Sequence, residues 1–135
     1  MNRKAALAVI LISASVMTIL AQKRPYDVVM KDVNTTFGNL RKNLDGAAMP
    51  SAAEDAAKLQ SLFKETEEFW KAFKTKDAIE ASKSAAAASE SLAAAAREGN
   101  GQKAQAAYGA IGKYCKACHD SHRELMPDKS YRIKP

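Results

Sequence analysis

Cysteine occurs only twice in the 135 residues, and so does histidine. Two cysteines are too few for a disulfide-stapled scaffold, and neither lies near the N-terminus, which excludes lipid attachment there. Glycine is sparse and forms no Gly-rich loop, so the chain carries no phosphate-cradling motif. No nucleophile–base constellation stands out, and nothing ahead of the cysteines reads as a strand. Together these absences argue against an enzyme of the hydrolytic or thioredoxin type. The net charge of +6 is spread through the chain, not gathered into the stripe that nucleic-acid binding needs. No acidic residue interrupts residues 5–21.

What is present is concentrated in Cys115-Lys116-Ala117-Cys118-His119. Cys-x-x-Cys-His is the attachment pattern of a c-type haem. On a helix, three- and four-residue steps place positions 115, 118 and 119 on one face. Two thiols can then add to the vinyl groups on one edge of a porphyrin, and the imidazole can reach the iron as its proximal ligand. Both cysteines belong to this one motif, so one covalent haem c is expected. Such a group implies redox or diatomic-gas chemistry. A structural zinc site needs about four ligands and finds only His122 beyond the motif's three. A simple disulfide leaves the adjacent histidine without a purpose.

The N-terminus has the layout of a secretory signal: Arg3 and Lys4, an apolar run over 5–21, and the small residue Ala21 at the exit. Cleavage there leaves a periplasmic protein of net charge +4. The rival reading is an uncleaved anchor helix, since about 17 apolar residues is the lower limit for a span. Membrane association is expected only in that case.

Everything after the leader reads as helix. In 26–44, Met30, Val33, Phe37, Leu40 and Leu44 recur at three- and four-residue steps, one apolar seam. After a break at 45–50, Ser51-Ala52-Ala53-Glu54 has the form of a capping box. The helix that follows carries Ala52, Ala56, Leu59, Leu62, Phe63, Phe69, Trp70 and Phe73 toward a core. A third helix over 77–98, with Thr75 as a candidate N-cap, owes its propensity to alanine, nine of the sixteen residues from 81 to 96. Gly99-Asn100-Gly101 ends it. The fourth helix, 102–125, places Tyr108 and Ile111 one and two turns before the motif, where they are expected beneath the porphyrin. Met126-Pro127 stops this helix, and a basic tail over 127–135 is expected to lie loose. The expected fold is all-α: an antiparallel up-down-up-down four-helix bundle over 22–126, enclosing the haem.

On these grounds the chain resembles the cytochrome c′ family, the class II cytochromes c, in helix count, loop brevity and the late position of its haem motif. The resemblance implies that Cys115 and Cys118 form the thioethers and His119 is the proximal ligand. It further implies that Arg123 pairs with a haem propionate, with His122 where the family usually has an aromatic residue. Low-spin members place a methionine on the iron's other face, in a Leu-Met-Lys-like step of the first helix, and Val28-Val29-Met30-Lys31 resembles that step. Met30 is thereby the distal-ligand candidate, against the plain reading of a methionine that fills the core. The family often carries a basic residue four positions earlier; here that place is Tyr26, leaving Arg24 or Arg41 to substitute.

The resemblance implies a small carrier of single electrons between protein redox partners. The alternative from the same family is a five-coordinate binder of nitric oxide or carbon monoxide, and a haem-free helical interaction module is the bland rival. An excess of lysine and arginine over the last helix and tail would suit a partner with an acidic docking surface, though it also fits a solvated face. Relatives are often homodimers.

Overall fold

The computed structural model describes residues 23–135; the leader expected over 1–21 lies outside the described residues. Four helices follow in order: α1 (Tyr26–Asp45), α2 (Met49–Phe73), α3 (Lys76–Arg97) and α4 (Gly101–His122). Two three-residue strands close the chain, β1 (Arg123–Leu125) and β2 (Tyr131–Ile133), paired antiparallel. The connections at 46–48, 74–75 and 98–100 are short, so successive helices run antiparallel as a four-helix bundle.

Local chemistry explains most of the helix ends. Pro25, with φ of −55°, precedes α1, and Asp27 in its first turn complements the helix dipole. Asn100 caps α4, its side chain accepting a hydrogen bond from the Lys103 amide at 3.0 Å. Helix α2 begins at Met49, ahead of the expected capping box. Pro50 sits in its first turn, where a missing N–H costs nothing, and no side chain caps the end. Thr75 does occupy the N-cap position of α3, but its hydroxyl makes no capping bond.

The core follows the apolar seams. Val29, Val33, Leu40 and Leu44 of α1 pack with Ala52, Ala56, Leu59, Leu62 and Phe63 of α2. Helix α3 contributes mostly methyl groups, Ala85, Ala86, Ala93, Ala95 and Ala96 around Leu92. Leu40, Leu59, Leu92 and Ile111 are wholly buried, each worth about 1.5–3 kcal/mol by removal from water. Phe73, expected in this core, is instead 48% exposed at the end of α2.

Buried hydroxyls are satisfied within their own helices: Thr66 donates to the Leu62 carbonyl, Ser82 to Ala78 and Ser89 to Ala85. Thr36 is the exception, its Oγ1 buried with no partner among the described residues. Thr36→Val keeps the shape and removes the orphaned hydroxyl. It should raise unfolding stability by about 1–2 kcal/mol, read from the urea midpoint at unchanged slope.

Helix α1 lies along α2, α2 along α3 and α3 along α4, whereas α1 and α4 scarcely touch. The bundle is therefore open along one seam. The expected loose tail is also absent. Helix α4 stops at His122, and Arg123 turns into extended backbone to begin the hairpin. In the loop at 126–130, Asp128 accepts hydrogen bonds from the Ser130 amide and hydroxyl, and Lys129 takes a left-handed φ of 66°.

Candidate functional site

The seam between α1 and α4 holds a cavity of about 640 Å³. Helix α4 lines it with Cys115, Cys118 and His119, α1 with Met30, and the start of the hairpin with Arg123. All five residues singled out from the sequence thus meet at one cavity, although 85 positions separate Cys115 from Met30. An adjoining, nearly apolar chamber of about 40 Å³ is bordered by residues of all four helices, again including Met30, Cys115, Cys118 and His119.

Helical spacing does the positioning. Residues 115, 118 and 119 share the inward face of α4, and Met30, Val33 and Phe37 share a face of α1. The two cysteines are not joined to each other by a disulfide. Burial pushes the Cys115 thiol up to about 11, helped by the neighbouring Cys118, and pushes Cys118 up to about 11 as well. Burial also lowers the His119 pKa, with a smaller contribution from the Arg123 charge. A neutral imidazole has the free lone pair that a metal ligand needs. Among the described residues no group of three or more His, Cys, Asp or Glu side chains is placed to hold a metal ion by itself.

The residues present fit a haem. The cavity falls within the roughly 300–1,000 Å³ of cofactor-sized sites. Two thiols and an imidazole stand on one wall, a thioether on another, and apolar side chains between.

The family model described as Cytochrome C' matches residues 3–123. The chain belongs to the cytochrome c′ family. No match was found among curated proteins or among solved structures. Family membership implies haem c as the cofactor, and the match takes in the whole of α1–α4 and the Cys-x-x-Cys-His motif.

Further residues of this cytochrome c′ line the cavity without having been singled out for it. Tyr26 stacks on Phe69 with ring centroids 4.0 Å apart and accepts a hydrogen bond from Trp70 Nε1 at 3.1 Å. Burial is the main reason its pKa is pushed up to about 12, so the phenol keeps its proton. Of the three aromatic residues at the end of α2, only Trp70 borders the cavity. Neither Arg24 nor Arg41 reaches it. Arg24 is held by Asp32 at 2.6 Å and Glu65 at 2.7 Å, and Arg41 by Asp45 at 2.9 Å. Tyr108 and Ile111 are also elsewhere: Tyr108 stacks on Phe37 at 4.2 Å, and Ile111 is in the core. Gly112 and Phe37 line the cavity in place of Tyr108 and Ile111.

His122 also lines the cavity, but both its ring nitrogens are directed at other partners. Its ring lies against Trp70, with centroids 5.0 Å apart. Nε2 meets the Asp77 carboxylate at 2.8 Å and Nδ1 the Lys134 carbonyl at 2.7 Å. The hydrogen bond from His122 holds the Asp77 carboxyl below the usual carboxylate range.

Proposed function

We propose that this cytochrome c′ is an exported, periplasmic monohaem protein that carries single electrons, with iron ligated by His119 and Met30. One observation carries the reading: Met30 from α1 and His119 from α4 line both the large cavity and the small chamber beside it. Cys115 and Cys118 would hold the haem through thioethers, and a haem so held supplies one-electron iron chemistry. The chain's own contribution is to fix the ligands on two helices, exclude water with Val33, Phe37 and Trp70, and keep the His119 imidazole neutral. Met30 offers a soft, neutral thioether, which favours ferrous iron and raises the potential.

Arg123 has no carboxylate partner among the described residues, which supports a role opposite a haem propionate. Lys103, Lys113, Lys129 and Lys134 are exposed and likewise without carboxylate partners among the described residues. That excess favours a protein redox partner with an acidic docking surface. Among the described residues no helix is long and apolar enough to cross a membrane. We assign no catalytic role and no nucleic-acid partner, and the homodimer common among relatives stays part of the proposal.

A second reading from the same site is a five-coordinate iron that binds nitric oxide or carbon monoxide. The apolar chamber beside Met30 and His119 favours it, because about 40 Å³ exceeds the space one water-sized probe needs. The oxidised and reduced optical spectra separate the two. A low-spin ferric spectrum with a weak near-infrared methionine–iron band is expected; a high-spin ferric spectrum transfers the assignment to gas binding.

A further inference from the structure

The family match ends at Arg123, yet the chain continues through a hairpin that borders the same cavity as the haem motif. Ser130, Tyr131, Arg132 and Ile133 line it together with Cys115, Cys118 and His119. The strand register pairs Arg123 with Ile133 and Leu125 with Tyr131. Side chains alternate along a strand, so Arg123, Leu125, Tyr131 and Ile133 share one face. Glu124 and Arg132 share the other, joined by an ion pair of 2.6 Å.

The first face combines apolar surface with a positive charge. The Arg123 guanidinium lies 4.2 Å from the centre of the Tyr131 ring and has no carboxylate partner among the described residues. Tyr131 and half-buried Ile133 line the cavity, whereas Leu125, 62% exposed, does not. Such a face suits a flat apolar body with an anionic rim, which is the chemistry of a porphyrin bearing propionates.

The hairpin is also fastened down. The Lys134 amide donates to the His122 carbonyl at 2.9 Å, and His122 Nδ1 contacts the Lys134 carbonyl in return. Through Nε2 the same ring reaches Asp77 at the start of α3. His122 thereby joins the chain's end to two helices of the bundle. Two strands of three residues would not hold together alone, so these tethers explain why the hairpin forms.

We propose that this C-terminal hairpin is a wall of the haem site, latched over the cavity by His122. The proposal rests on the haem reading above. It makes Tyr131 and Ile133 haem-contacting residues and makes His122 a positioning residue.

The test uses holoprotein whose intact mass shows an attached haem. His122→Phe keeps a ring beside Trp70 but removes the side-chain bonds to Asp77 and Lys134. Losing both should raise the opened fraction, and with it the rate of cyanide binding to ferric iron, roughly 5- to 30-fold. Ile133→Glu should also speed cyanide binding, and should lower the midpoint potential because a nearby carboxylate favours ferric iron. Leu125→Glu adds the same charge to the same hairpin face away from the cavity, and should match wild type in both readouts. Wild-type kinetics in His122→Phe and Ile133→Glu would overturn the proposal, as would equal effects from Leu125→Glu. A bare polypeptide mass would instead overturn the haem reading, and the hairpin's role with it.

Discussion

On the proposed ligation, Met30→Ala should convert the ferric holoprotein from low spin to high spin, lower its midpoint potential and open the ferrous iron to carbon monoxide. The expectation follows from the position of Met30 on the cavity face of α1, where it borders the same chamber as His119. With Met30 as the proposed ligand, removing its thioether takes away a group that favours ferrous iron. Truncation also enlarges the cavity and costs some stability, so Met30→Leu is the informative companion. It conserves volume and packing but has no sulfur, and should give the same high-spin spectrum with near wild-type stability. If both variants keep a low-spin spectrum, Met30 is core filling and the iron's second ligand lies elsewhere.

Trp70→Ala should cost about 3–5 kcal/mol in urea unfolding, a large part of the roughly 5–15 kcal/mol that holds a domain together. Trp70 is 1% exposed and sits where α2, α1 and the end of α4 meet. Its ring touches Phe69 and Phe73 on its own helix and His122 on α4, and its Nε1–H donates to Tyr26 on α1. Trp70→Phe keeps most of the apolar contact while removing that donor, and should lose only about 1–2 kcal/mol. A loss below 1 kcal/mol for Trp70→Ala would show that this cluster contributes little to the bundle.

The helices were legible because a 3.6-residue period repeated over twenty or so residues is a strong signal, reinforced by alanine in α3. Their ends were less so. At the start of α2, Pro50 and the Ser51–Glu54 pattern are competing signals one residue apart, and the structure follows the proline. Phe73 satisfies the apolar spacing of α2 but falls in its last turn, beyond the reach of the neighbouring helices. The haem motif was legible from spacing alone, since the whole pattern spans five residues. Met30 was singled out only through the family resemblance, because one methionine in an apolar seam has no distinguishing period.

The hairpin was not legible. Strands of three residues are too short for an alternating pattern to register, and the turn residues Pro127, Asp128 and Ser130 read equally well as a loose tail. What orders them is long-range: the Arg123–Tyr131 stack, and a histidine whose partners lie 45 and 12 residues away. Tyr26 is similar, its place at the cavity being set by Phe69 and Trp70 on another helix.

The most direct test of the whole account is the intact mass of the protein matured in a host that attaches haem c. The account predicts the mass of the chain plus one haem that survives denaturation, with the Cys115→Ser, Cys118→Ser double variant at the mass of the polypeptide alone. A wild-type protein at the polypeptide mass would contradict it.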